Sequence, residues 1–415
     1  MPKLFLYFTK NTLCFFRTVR LNVPPMKKTP LPKLAIIALF NICLSLSAMA
    51  GDRVNVTAYG AVPDDGQDDT QAINNATNAG QSIYFPPGTY NYSGRLSVAG
   101  GKSYRFYGDG PGVSVIHFST TDGGIVGFMG QNTLNVEGLT IQTGTANAGT
   151  AIWANFSGGK ATIHNVQIRG SSTDGTSGGW WTNGIYLAVA THSIIDKVEI
   201  AGNKDATQVG LWLDAPGDPN LVAATGFNIS NLQIKWCNSA FKTSGHTEGI
   251  YLTGFEFISC GRAGWFAADL NNANGGAIHL VNGTVDTIGA GVFVQNQTFV
   301  KISNVRFLHT GPEASHATIL YLHNGFGATV SQCSFYGLDP SSTLLENGIY
   351  VENMASVQLN GNNFTHMRPV GGSCIVATGS GTTALRITDN LFSNVNSQYS
   401  IDGSVPSPYF LGNNP

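Results

Sequence analysis

Charge is scarce in this 415-residue chain: Asp, Glu, Lys and Arg make up only 11% of it. A disordered polyelectrolyte or a basic nucleic-acid binder is excluded on that ground. After residue 50 no stretch approaches the roughly 20 apolar residues of a membrane-spanning helix. Cysteine is also sparse, and Cys237, Cys260, Cys333 and Cys374, the four beyond residue 50, have neither the density of a disulfide scaffold nor the spacing of a zinc site. The nine histidines are scattered without His-Glu-x-x-His or another paired-ligand spacing, so neither a catalytic metal nor a cofactor is expected. Neither a Gly-x-Ser-x-Gly elbow nor a phosphate-binding loop is present, which argues against esterase and nucleotide chemistry.

What the chain does have is glycine, 51 residues of it, beside 42% hydrophobic residues. Such a chain can bury a large core while turning often, which favours many short strands over long helices.

Residues 1–50 form a separate segment. Met26-Lys27-Lys28 opens a basic stretch, Leu34 to Leu46 is largely apolar, and Ala48-Met49-Ala50 has the small-x-small form of a cleavage site. This predicts a secretory signal peptide cut after Ala50, preceded by an over-extended start or, as the alternative, a short membrane-anchoring segment, and a mature chain in the periplasm or outside the cell. Removing it takes away seven of the 22 basic residues and none of the 24 acids, leaving fifteen bases and a net charge of −9. General attraction to nucleic acid or anionic lipid is then not expected.

A weak internal repeat organises the rest. An apolar residue closes a short strand at Ile168, Ile200, Ile234, Phe257, Val285, Phe307, Phe335, Phe364 and Phe392, at intervals of 22 to 34 residues that average 28. After a gap, a second short strand follows, often led by Gly. Alternating apolar residues at this period, with Gly or Asn at the bends, match the rungs of a parallel β-helix. Helical repeats need a different apolar spacing, and a β-sandwich needs hairpin turns. Aligned on its leading Gly, the second strand points Ile185, Leu211, Phe241, Trp265, Val292, Leu320 and Ile349 inward. It points Tyr186, Trp212, Lys242, Phe266, Phe293, Tyr321 and Tyr350 outward, a column suited to sugar faces or to a subunit contact. Cys237 and Cys260 fall one rung apart, about 4.8 Å by strand spacing, where a disulfide or two stacked thiols would both fit.

Residues 54–76 read as strand, Asp- and Gly-rich turn, and a helix starting near Asp69-Thr70, a cap over the open end of the solenoid. The cap holds Tyr59-Gly60-Ala61, Asp65-Gly66, Asp68-Asp69-Thr70 and Ala72-Ile73, and Phe85-Pro86-Pro87-Gly88-Thr89-Tyr90 follows it. This opening resembles that of the pectate-lyase superfamily of right-handed β-helices. That group includes pectinolytic enzymes, phage tailspike depolymerases and secreted bacterial exopolysaccharide glycanases such as those acting on stewartan-type polymers. The resemblance implies an all-β, right-handed, single-stranded parallel β-helix over residues 51–402, with a short N-terminal helical cap at 51–80 and a tail at 403–415. It also implies a polysaccharide substrate and a homotrimer. The chain lacks the head-binding and C-terminal trimerisation domains common in tailspikes, which favours a cell-encoded enzyme over a virion part.

Glycoside hydrolysis needs two carboxyl groups about 5–5.5 Å apart for retention or about 6.5–9.5 Å apart for inversion. The outward column before the closing residues carries Glu199 and Glu256 two rungs apart, roughly 9.6 Å by strand spacing. The second strand offers Asp214 and Asp269, again two rungs apart, although Asn296, Asn324 and Asn353 at the position of Asp269 suggest a turn ladder there. His323 beside Glu352 on the next rung would form either an acid–base pair or an ordinary polar contact. The longest rungs place Trp180-Trp181 in a Gly- and Ser-rich loop near Trp212 and Asp214, where a polysaccharide groove would want flat apolar faces and acids. The candidate catalytic residues are therefore Glu199, Asp214, Glu256 and Asp269. Trp180, Trp181, Tyr186, Trp212, Lys242, Phe266, Arg306 and Tyr321 are the candidate substrate contacts. An endo-acting glycoside hydrolase is the leading expectation, and the resemblance supports it more than the spacing does. A polysaccharide lyase and a non-catalytic glycan-binding protein are the alternatives; the few outward cations, chiefly Lys242 and Arg306, count against a polyuronate lyase.

Overall fold

The computed structural model describes residues 53–98, 100–172, 178–203, 206–216, 224–268, 276–309, 316–337, 345–367 and 372–414. Every strand pairing among them is parallel, and each strand pairs with its counterpart about one repeat away, so the chain winds as a parallel β-solenoid.

A typical rung has three strand segments, here called a, b and c. Lys160–Gly170 supplies a and b, bent apart at Asn165, and Asn183–Ala188 supplies c. The a–b bend is one residue in the left-handed region. Gly138, Asn165, Lys197, Asn231, Gly254, Asn282, Asn304, Gln332, Gly361, Asp389 and Gly412 occupy it with φ between 51° and 64°. Gly, Asn and Asp reach that conformation at least cost, which explains their recurrence. The Asn side chains also tie rungs together: Asn304 donates to Asn282 at 2.8 Å and Asn231 to Asp196 at 2.9 Å.

The b–c connections differ in length. The chain leaves the b strand at Gly170 and re-enters at Asn183, and likewise between Ala201 and Val209 and between His309 and His316. In contrast, Thr247–Ala267 and Ile278–Gln295 run through a, b and c as continuous strands.

The nine closing residues form one inward column, each in register with the next from Ile168 to Phe392. Its last four rings, Phe307, Phe335, Phe364 and Phe392, stack at 4.8, 4.8 and 5.2 Å. Burying each such side chain is worth about 1.5–3 kcal/mol.

The helix spans Thr70–Ala79 and buries Ile73 and Ala76 against the solenoid. Its first turn is held by Asp68, whose side chain accepts from the Thr70 amide at 2.9 Å. Asp69 is turned aside to accept from the amides of Val62 and Asn91, locking the cap to the first rung. Gly88 has φ 123°, and a Cβ there would stand 2.4 Å from Pro63, so this turn packs too closely on the cap for any side chain.

One expected register is wrong. Gly264 takes the inward position opposite Phe241 and Val292, so Trp265 faces outward with Lys242 and Phe293 while Phe266 is buried. The ring of Phe266 fills the space an inward side chain at 264 would occupy, since a Cβ there would lie 2.6 Å from it. The same slip moves Ala267, not Ala268, into the column that holds Ser244 and Gln295. Cys237 and Cys260 are free, buried thiols.

Candidate functional site

The candidate residues fall on two separate ladders. On the b ladder the outward column reads Gln167, Glu199, Gln233, Glu256, Thr284, Arg306 and Ser334 in continuous register. Glu199 accepts from Gln167 at 3.0 Å and from Lys235 at 2.6 Å. Burial pushes its pKa up, but these two bonds and the charges of Lys235 and Arg169 outweigh it and hold the carboxyl below its ordinary value. Glu256 accepts from Gln233 at 2.7 Å. An open groove of about 650 Å³ runs along this corner across five rungs, from Asn231 and Gln233 past Glu256, Thr284 and Arg306 to Ser334. Its side chains are mostly amides, hydroxyls and charges, suited to hydrogen-bonding a hydroxyl-rich ligand.

On the c ladder an outward column runs Trp153, Tyr186, Trp212, Lys242, Trp265, Phe293, Tyr321 and Tyr350. Its rings contact one another: Trp153 and Tyr186 stack at 6.0 Å, Trp265 and Phe293 at 4.4 Å, and Lys242 lies 4.1 Å over Trp212. Three further pairs, Tyr186 with Trp212, Phe293 with Tyr321 and Tyr321 with Tyr350, meet edge to face, so the rings brace one another along the column. The polar tips are also taken. Tyr186 donates to Asp214 at 2.7 Å, Ser244 donates to the other Asp214 oxygen, and Trp212 donates to Ser244 at 2.7 Å. Tyr321 repeats the pattern five rungs along, donating to Glu352, which also lies 3.7 Å from His323. Burial, then the neighbouring carboxylate, pushes the Tyr186 and Tyr321 phenols well above their usual value, so both remain donors.

Glu199 and Glu256 thus share one face, and Asp214, only 9% exposed, lies on another with both oxygens occupied. Asp269 lies outside the described residues. Lys242, Tyr186, Trp212 and Tyr321 belong to the c column, and Arg306 lines the b groove. Two expected contacts are corrected. Phe266 is core, for the register reason given above. Trp181 is 2% exposed: its ring turns inward to pack against Phe118 at 5.6 Å, and its indole donates to the Arg169 carbonyl. Trp180 is half-buried and bonded to Asn147. Trp153 and Trp265 were missed as outward rings. The alternation Ile152-Trp153-Ala154 one rung earlier carried the signal for the first.

A family model described as rhamnogalacturonase A/epimerase, pectate lyase-like, matches residues 53–266. The chain belongs to that family. No curated protein matches it in sequence. Among solved structures, it is similar to the N-terminal fragment of gene product 12 of bacteriophage Phi29, with a TM-score of 0.58 and 15% identity over 92% of this chain and 73% of that one. It is also similar to DFA-IIIase from Arthrobacter chlorophenolicus A6, solved with GF2, with a TM-score of 0.55 and 14% identity over 87% and 94% of the two chains. A third is the A-module of a mannuronan C-5 epimerase from Azotobacter vinelandii, with a TM-score of 0.51 and 14% identity over 87% and 99%. These likenesses show a shared fold, and a fold alone does not fix the chemistry placed on it. Among the described residues no helix is long and apolar enough to cross a membrane, and no cluster of His, Cys, Asp and Glu could hold a metal ion.

Proposed function

We propose that this family member is an exported, endo-acting glycoside hydrolase of a bacterial or plant heteropolysaccharide, with Glu199 and Glu256 as its carboxyl pair and residues 1–50 removed at export. The observation that carries the reading is the polar groove along the b ladder, which holds Glu256 and ends one rung from Glu199. Two rungs separate the pair by roughly 9.6 Å, at the upper edge of the inverting range. Glu199, kept ionised by Lys235 and Gln167, suits the base that takes a proton from water. Glu256 is then the acid that protonates the departing glycosidic oxygen, while the water oxygen bonds to the anomeric carbon from the opposite face. Gln233, between them in the column, is placed to orient that water.

One observation favours a second reading, a protein that binds glycan without cutting it. Each described candidate carboxylate already accepts hydrogen bonds from the chain's own side chains. The test incubates residues 51–415 with a panel of acidic exopolysaccharides while following viscosity, reducing ends and ultraviolet absorbance. Falling viscosity with new reducing ends and flat absorbance is expected. Rising absorbance would mean a lyase, and binding without shortening would leave only the second reading.

A further inference from the structure

Arg262 is a feature of the c face that the hydrolase reading leaves unused. It opens the c segment of the rung that carries Glu256, stacked in register between Ser239 and Ala290. Its guanidinium lies 4.6 Å over the Trp265 ring and is half-buried. Among the described residues no carboxylate lies within ion-pair distance of it, whereas the more exposed Arg95 and Arg105 hold Asp122 and Glu137. Burial draws its pKa below the ordinary guanidinium value with no carboxylate in opposition. An arginine remains charged regardless, and a half-buried charge without a counter-ion is costly.

That charge borders an open hollow of about 280 Å³, lined by Arg262, Trp265, Gly291, Phe293, Thr318 and Tyr321, among others. Such a volume falls just below the range of drug-sized pockets, which begins near 300 Å³, and is of the order of one sugar ring. Gly291 is one of its lining residues, and a Cβ there would stand 1.8 Å from the Ile319 carbonyl oxygen, so the position tolerates no side chain. The acid on the same face, Glu352, is directed to Tyr321 and His323. The hollow therefore combines aromatic rings, a hydroxyl and a cation that no described carboxylate pairs.

Its position adds to this. On the rungs of Glu256 and Thr284 the chain passes from b to c as one continuous strand, while flanking rungs insert longer connections. On these two rungs no inserted connection separates the b groove from the hollow. We propose that the hollow is a subsite for a carboxylate-bearing sugar residue, and that Arg262 is the residue that reads the carboxylate. The inference rests on the reading that a glycan is the ligand, but not on whether or where that glycan is cut.

The test therefore measures binding, on the full chain carrying Glu256→Gln to suppress turnover. The probes are polygalacturonate, alginate, hyaluronan and xanthan, each beside its carboxyl-reduced form. At least one acidic polymer is expected to bind, and adding Arg262→Ala should weaken it roughly tenfold to hundredfold, as expected for loss of a charge-assisted hydrogen bond. Arg262→Lys should recover part of the loss, and the carboxyl-reduced polymer should bind both chains equally. Equal losses on acidic and reduced polymers would make Arg262 a structural partner of Trp265 and overturn the proposal. So would an unchanged affinity, or the absence of Arg262-dependent binding to any of the four. Cleavage of the same panel by the unsubstituted chain is scored separately, so a chain that binds through Arg262 but never cuts would sink the hydrolase reading and leave the subsite standing.

Discussion

The b corner and the c face are built by the same device, one outward residue repeated at each rung, yet they differ in what the column leaves open. On the c face, rings contact rings, stacked or edge to face, and Tyr and Trp tips donate to the next rung, so Asp214 is a buried acceptor inside a closed network. On the b corner, the column alternates amides and carboxylates from Gln167 to Glu256, and the groove stays open along five rungs from Gln233 to Ser334. A closed ladder principally stabilises the solenoid, while an open one can exchange its partners for a ligand. This makes Glu256 a better candidate than Asp214 for chemistry, although the latter sits among the aromatics.

The strongest way to break that comparison is a pair of carboxamide substitutions read in two assays. Glu256→Gln should lower turnover by about 10²–10⁴-fold, the usual contribution of general acid–base catalysis, with stability changed by no more than about 0.5 kcal/mol. Asp214→Asn should do the reverse. It places an amide donor against Tyr186 or Ser244, which costs about 1–3 kcal/mol in denaturant unfolding, and it should leave turnover almost unaltered. If Asp214→Asn abolishes cleavage in a folded chain and Glu256→Gln does not, the two faces exchange roles.

The pH dependence sharpens the same contrast. Glu199 is held below its ordinary pKa, so a rate that needs its ionised form should fall only as pH drops below the usual carboxylate range. Lys235→Met removes the strongest opposition to burial, so Glu199 should protonate at higher pH and the acid limb should move upward. The linked stability follows the same sign: it is present above the unfolded pKa and lost as pH falls through the folded one. An acid limb that does not move in Lys235→Met would show that Glu199 does not set it.

Much of this architecture is legible in the sequence because its causes are local. A single left-handed residue makes each a–b bend, and the recurrence of Asn and Gly there, with Ile, Val or Phe three residues on, exposes the rung period. The outward register of Glu199 and Glu256 follows from alternation alone. The failures come where a large side chain acts across rungs. Gly264 looks like the Gly that leads other c strands, but it occupies an inward place because Phe266 fills the space beside it. Trp181 reads as a loop residue, yet its ring reaches the core and packs on Phe118, over sixty positions earlier in the chain. Arg262 went unremarked since nothing in a sequence tells an unmatched arginine from a paired one.

The smallest expected effect tests whether the c column is held by charge as well as by packing. Lys242 lies 4.1 Å over the Trp212 ring, with no carboxylate bonded to it among the described residues. Lys242→Met keeps the length and apolar stem while removing the charge, so packing is largely conserved. A double-mutant cycle with Trp212→Leu should return a coupling of about 0.5–1 kcal/mol, the range of partly exposed cation–π contacts. The parallel cycle on Lys235 and Glu199 should give about 0.2–1 kcal/mol and weaken as salt is added, since an ion pair at a groove edge is screened. A coupling near zero at Lys242 would mean that stacking alone closes the c face, and that the lysine, interrupting a run of aromatics, is there to meet a ligand. The same face would then carry two free cations, Lys242 and Arg262, and the boundary between the closed and open ladders would have to be redrawn.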